Sequence, residues 1–278
     1  MRLDGLRLVI DCAHGAAYKC APAVFEELGA KIILIGAEPN GENINQDCGA
    51  LHPELVCERV LKEGADMGLA LDGDADRAIF VDDKGNVLNG DHIMAICAQD
   101  LRDQNKLVKN TVVATVMSNL GLEMALKEMD IRLIRTDVGD RYVLERMRQG
   151  GYNLGGEQSG HLIFLDHNTT GDGILSALRV LAVMLRKEQP LSELAKIMDD
   201  TPQVLVNVQV SRRVELNDNA VLQKQFDQVR ETLGEAGRLL VRYSGTEPKV
   251  RVMIEGMDSN LIETLAGETA DAIKKELG

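Results

Sequence analysis

Residues 67–77 read MGLALDGDADR: an apolar run of strand length, then three carboxylates at alternate positions, Asp72, Asp74 and Asp76, and a closing Arg77. A buried strand that stops at acids is the mark of an α/β fold with a parallel sheet, where functional groups collect at the strand C-termini. Upstream, residues 6–11 and 31–35 are further apolar or β-branched runs. They alternate with helical patterns over 22–28, closed by Gly29, and over 53–63, with Pro53 in the first turn. This β-α-β-α-β order predicts a parallel sheet for the first block. Downstream, residues 78–81 and Val87 flank the turn signal Asp82-Asp83-Lys84-Gly85, which predicts a hairpin.

A second block begins near Asp91 and repeats the alternation: helix 93–101, strand 111–115, helix 120–128, strand 132–135, helix 142–149 and a return strand over 161–165. A strong helix is then predicted over 169–186, because Ile174, Leu175, Leu178, Leu181, Ala182 and Leu185 share one face, and Pro190 follows its end. Past Pro202 the pattern changes to strand 204–210, helix 220–233, strands 238–243 and 250–255, and helix 259–277. The fold class expected is α/β: two successive α/β domains, 1–90 and 91–202, followed by a small α+β C-terminal domain, 203–278. No linker-like stretch separates them, so close packing is expected.

Composition narrows the partners. The 278 residues hold 31 Lys+Arg against 44 Asp+Glu, a net charge of −13, which argues against nucleic acid or an anionic membrane as a general partner. Any phosphate site must be local. No apolar run reaches membrane-spanning length and the N-terminus lacks a signal-peptide pattern, so a cytoplasmic location is expected. Cys12, Cys20, Cys48, Cys57 and Cys97 form no C-x-x-C pair and are odd in number. That fits reduced thiols better than a disulfide frame or a zinc site.

Three clusters carry chemistry. Asp72, Asp74 and Asp76 in a tight loop with Gly73 and Ala75 can converge on one hard cation, and without one they repel; a solvated acidic loop is the plain alternative. An EF-hand is not supported, since Arg77 stands where that loop needs glycine. Arg77 either pairs with the acids or holds an anion brought by the metal. The second cluster, GGEQSGH over 155–161, presents Glu157, Gln158, Ser159 and His161 between glycines, as a hydroxyl-rich ligand requires, although a glycine-rich turn reads equally well. His161 alone is more often a structural hydrogen-bonder. The third, RYSGTEPKVR over 242–251, sets Ser244, Gly245 and Thr246 between Arg242 and Arg251, an anion pocket in an otherwise acidic chain or else a hairpin turn with solvated arginines. TDVGDR over 136–141 is a lesser candidate that also reads as a helix start. Together the clusters suit a phosphosugar and a divalent cation.

In this order and spacing the motifs resemble those of the α-D-phosphohexomutases over essentially the whole chain. DGDADR is similar to their metal loop, GGEQSGH to their sugar loop and RYSGTEPKVR to their phosphate loop. Gln158, TDVGDRYV, NTTGDG over 168–173 and the run from Asn43 to Glu54 look most like members acting on glucosamine phosphates; those acting on glucose or mannose phosphates more typically carry Met at the Gln158 position. The resemblance implies Mg²⁺ held by Asp72, Asp74 and Asp76, a catalytic Arg77 on the reacting phosphate, and Glu157, Ser159 and His161 on the substrate. It implies that Arg242, Ser244, Gly245, Thr246 and Arg251 hold the other phosphate of a hexosamine phosphate. The family's first domain carries a phosphorylated serine in a T-G-x-R-x-S-G-type loop, and no such loop occurs here. The expectation is a fragment without that N-terminal domain, inactive alone. Competing readings are a haloacid-dehalogenase-type phosphatase, which Asp76-Arg77 fits poorly, and a non-catalytic phosphosugar-binding module.

Overall fold

The computed structural model describes residues 1–244 and 247–278. The chain divides into two compact units, Met1–Ser118 with Leu122–Asp199, and Asp200–Gly278 with Asn119–Gly121.

The first unit opens with β1 (Arg7–Asp11), α1 (Cys20–Glu27), β2 (Lys31–Ile35), α2 (Glu54–Glu63), β3 (Met67–Leu71), β4 (Ala78–Val81) and β5 (Val87–Leu88). Its five-stranded sheet has the order β2-β1-β3-β4-β5. β2, β1 and β3 are parallel and β4 and β5 extend the sheet antiparallel, as the hairpin signal requires. Strands β3 and β4 are buried throughout. Helix α1 begins two residues ahead of the sequence reading, because a proline in the first turn gives up no helical hydrogen bond.

The unit continues through α3 (Gly90–Asp103), β6 (Thr111–Thr115), α4 (Leu120–Glu128), β7 (Arg132–Thr136), α5 (Asp140–Gly150), β8 (Leu154–Gly156), β9 (Leu162–Phe164), α6 (Gly173–Lys187) and the short α7 (Leu191–Leu194). Its second sheet runs β7-β6-β8-β9, with β9 antiparallel. β8 is an element the sequence reading lacks. Two of its three residues are glycines, which read as turn formers, yet a Cβ at Gly155 would lie 2.7 Å from both the Val113 carbonyl oxygen and the Met147 sulfur, so only glycine lets this strand pack. Helix α6 starts at Gly173 rather than 169, because the Asp172 side chain caps it by accepting the Leu175 N–H at 2.9 Å. One apolar core joins both sheets through α3, with Leu8, Leu69, Phe80, Ile93, Leu154 and Leu181 all fully or nearly fully buried.

The second unit holds β10 (Gln203–Gln209), α8 (Ala220–Leu233), β11 (Gly237–Tyr243), β12 (Lys249–Gly256) and α9 (Ser259–Leu277). β12 is the central strand of an antiparallel sheet, β10-β12-β11. Val208, Val250, Val252 and Ile254 pack with Leu222, Phe226, Ile262 and Ile273 of the helices in a separate core. Among the described residues, no helix is long and apolar enough to cross a membrane.

Candidate active site

The C-terminal end of β3 delivers the acidic loop. Asp72 folds it back on itself: its Oδ1 accepts the Arg77 backbone N–H at 3.1 Å and its carbonyl accepts the Ala75 N–H at 3.1 Å. One oxygen from each of Asp72, Asp74 and Asp76 lies within 4.8 Å of the others. Burial pushes the Asp72 carboxyl above its ordinary range, and the Asp76 and Asp74 charges push the same way, opposed by the bond from Arg77 and by its guanidinium. Three hard oxygen donors that repel when empty fit a hard divalent cation such as Mg²⁺, with water or a phosphate oxygen filling the rest of its shell.

The loop is braced from neighbouring segments. Ala16 N–H donates to the Gly73 carbonyl at 2.8 Å, and Asn45 N–H to the Ala13 carbonyl at 2.8 Å. Buried Asp11, at the end of β1, accepts from the N–H groups of Ala13 and Gly49, both at 2.8 Å. Ala13, His14, Asn45, Asp47 and Ala75 all have left-handed backbone, a conformation costly for non-glycine residues that collects where function demands it.

Arg77 links the acids to a cavity of about 600 Å³. Its Nε is 3.9 Å from Asp72 Oδ2 and 3.8 Å from Asp76 Oδ1. The cavity is also lined by Asn89, Thr115, Glu157, Gln158 and Ser159. The Glu157–Gly160 turn is fixed at several points: Glu157 N–H donates to the His161 carbonyl at 2.9 Å, Gly90 N–H to the Gln158 carbonyl at 2.9 Å, and Ala78 N–H to the Gly160 carbonyl at 3.1 Å. Gly90 permits this approach, since a Cβ there would run into the Glu157 carbonyl oxygen. Glu157 Oε1 accepts the Gly139 N–H at 3.1 Å, tying in the 136–141 segment.

His161 takes a different position from Glu157 and Ser159. The residue is 2% exposed, with Nε2 accepting the Gly171 N–H at 3.2 Å and lying 3.5 Å from Asp76 Oδ2. It joins the acidic loop to the segment that precedes α6.

In the second unit, Arg242 and Arg251 are directly paired across β11 and β12. Burial, then the neighbouring Arg251 charge, pulls the Arg242 guanidinium below its ordinary value. Arg251 Nη2 is 3.9 Å from Glu247 Oε2, and its buried Nε has no hydrogen-bond partner among the described residues. Ser244 is 2% exposed, and its Oγ accepts the Glu247 N–H at 3.3 Å. Gly245 and Thr246 lie outside the described residues. A cavity of about 360 Å³ borders this loop, lined in part by Arg212, Arg213, Tyr243 and Ser244.

The sequence reading missed Asn89, Thr115 and Asp11. Asn89 carries a signal, being an Asn directly before a helical run: its Oδ1 caps α3 by accepting the Asp91 N–H at 2.9 Å. Asp11 carries the signal of an acid at the end of an apolar run, and Thr115 carries none that spacing reveals.

Three family models match in succession: "Phosphoglucomutase/phosphomannomutase, alpha/beta/alpha domain II" over residues 1–85, "alpha/beta/alpha domain III" over 89–201, and "C-terminal domain" over 205–272. Curated proteins named phosphoglucosamine mutase are 58% identical: one from Geobacter sp. (strain M21) over 276 residues, covering 99% of this chain and 61% of that protein, and one from Geotalea daltonii over 278 residues, covering 100% and 61%. The chain thus spans about three fifths of the length of these relatives. A crystal structure of Aspergillus fumigatus N-acetylphosphoglucosamine mutase, in complex with GlcNAc-6P and magnesium, has the same fold at a TM-score of 0.78 and 23% identity, covering 98% of this chain and 66% of that one.

Proposed function

We propose that this chain, which belongs to the phosphoglucomutase/phosphomannomutase family, carries the metal, sugar and phosphate sites of a mutase interconverting glucosamine 6-phosphate and glucosamine 1-phosphate. One observation carries the reading: Arg77, within 4 Å of two of the three clustered carboxylates, lines the same cavity as Glu157, Gln158 and Ser159. The 58% identity to proteins named phosphoglucosamine mutase supports the substrate, as does Gln158 in the sugar loop.

In this reading Asp72, Asp74 and Asp76 hold Mg²⁺, which when bound offsets negative charge on a phosphoryl group in a loose transition state. Arg77 grips the reacting phosphate. Glu157 and Ser159 read sugar hydroxyls, while His161 is assigned to orienting the sugar loop against Asp76. Arg242, Ser244, Gly245, Thr246 and Arg251 hold the phosphate that is not reacting, so that its binding energy orients the other end. The division into domains 1–90, 91–202 and 203–278 is part of this proposal, and family matches over 1–85, 89–201 and 205–272 support it. The phosphoserine donor belongs to a further domain of such a mutase, in the cytoplasm, and without it the chain binds hexosamine phosphate but does not turn it over.

Calorimetric titration of glucosamine 6-phosphate with Mg²⁺ present tests this. Binding is expected to weaken in Glu157→Gln and in Arg77→Gln. Full affinity in both variants would overturn the assignment of the cavity, and phosphate release by the unaltered chain would favour a phosphatase.

A further inference from the structure

Two thiols converge on one backbone carbonyl beside the acidic triad. Cys12 follows β1 and Cys20 opens α1, and their sulfurs lie 3.8 Å and 3.7 Å from the same oxygen, that of Ala17. Cys12 is buried and Cys20 exposed. Cys20 also lines a cavity of about 430 Å³ together with Asp74, Ala75 and Asp76, so a small solute can reach its sulfur. The segment presenting the shared carbonyl is bonded to the triad's own loop through the Ala16 N–H and the Gly73 carbonyl, 2.8 Å apart.

We propose that Cys12 and Cys20 form a peroxide-sensitive thiol pair whose closure to a disulfide loosens the cation triad. The order of events follows from exposure. Burial pushes the Cys12 thiol up to about 12, so it stays protonated while Cys20 meets the oxidant first. The Cys20 thiolate attacks hydrogen peroxide: an S–O bond forms, the O–O bond breaks, and the leaving hydroxide takes a proton to become water, leaving Cys20 oxidised by two electrons to a sulfenic acid. Cys12 then loses its proton and attacks the Cys20 sulfur. The S–S bond forms, the S–O bond breaks, and a second water leaves.

A disulfide fixes the S–S separation at about 2 Å and the dihedral near a right angle, so the two sulfurs must be drawn together from their places beside the carbonyl they share. The loop from 12 to 20 closes around Gly15 and Ala16, and the strain falls on the Ala16 to Gly73 hydrogen bond. That bond holds the turn presenting Asp74. The effect on the cation rests on the metal reading proposed above, whereas formation of the S–S bond does not.

The full chain is treated with hydrogen peroxide, and intact mass, peptide mapping and Mg²⁺ calorimetry are read before and after thiol reduction. The expected result is loss of two hydrogens, a cross-linked peptide joining Cys12 to Cys20, and Mg²⁺ affinity lowered several-fold and restored by dithiothreitol. Cys20→Ser is expected to remove the cross-link and keep the affinity of the reduced protein, with Cys12→Ala as the second variant. Oxygen adducts on Cys20 with no cross-link, or a cross-link to Cys48 instead, would overturn the pair. A Cys12–Cys20 bond with unchanged Mg²⁺ affinity would overturn the coupling to the triad. A reduced chain with no Mg²⁺ affinity at all counts against the metal reading and overturns the coupling, while the cross-link still decides the pair.

Discussion

Arg242 of β11 and Arg251 of β12 stand directly opposite one another in an antiparallel pairing. Like charges across a strand pair destabilise a sheet, and the Arg242 guanidinium registers it, depressed by burial and by Arg251. An anion between them removes the repulsion and gains charge-assisted hydrogen bonds. Arg251→Gln is therefore expected to weaken inorganic phosphate binding by about 1.5–3 kcal/mol and to leave the ligand-free stability equal or higher. Calorimetry and thermal unfolding of the same preparation check both halves. A variant that loses stability without phosphate would mark Arg251 as a support of the fold.

The acidic loop carries a pH dependence of known sign. Burial and the neighbouring carboxylates raise the Asp72 pKa in the folded chain, so its ionised form costs stability at neutral pH and that cost fades as the pH falls through the raised value. Mg²⁺ needs the ionised form and runs the other way, with affinity falling over the same acidic range. Asp72→Asn should raise the melting temperature at neutral pH in the absence of metal and abolish Mg²⁺ binding. A variant that melts lower and still binds Mg²⁺ would contradict the placement of Asp72 in a cation site.

Asp11 accepts two backbone N–H groups inside the protein. Asp11→Ala leaves both donors buried without a carboxylate, an expected loss of about 2–5 kcal/mol. Urea unfolding measures it, and a change near zero would mean that the Ala13 and Gly49 amides find other acceptors.

Gly90 is expected to tolerate no side chain, since its Cα faces the Glu157 carbonyl. Gly90→Ala should cost about 1–3 kcal/mol through forced displacement of backbone. It should also weaken hexosamine phosphate binding, because the turn bearing Glu157 and Ser159 moves. Loss of stability with binding unchanged would separate the turn from the ligand.

Much of this was legible in the sequence where the physics is local. Strands β2, β3 and β6 have the bounds read from their apolar runs, because a short β-branched or apolar stretch between turn residues has few other uses. The carboxylates of residues 72–76 are adjacent in the chain, so their convergence needed only a tight turn. β8 was hidden because its glycines mimic a turn until the strands on either side are in place. Asn89 and Thr115 reach the 600 Å³ cavity from different elements, and the role of Asp11 depends on an amide 38 residues away. Contacts made only by tertiary folding leave no periodic trace.

The most direct measurement joins this chain to the portion of the Geobacter relative that lies outside the matched region, and follows glucosamine 6-phosphate, with Mg²⁺ present, by phosphorus NMR. Conversion to glucosamine 1-phosphate is the result expected of the proposed mutase, lost in Asp74→Asn, with no conversion by the unjoined chain. A folded chimera that binds glucosamine 6-phosphate yet leaves it unchanged, or that releases inorganic phosphate, would contradict it.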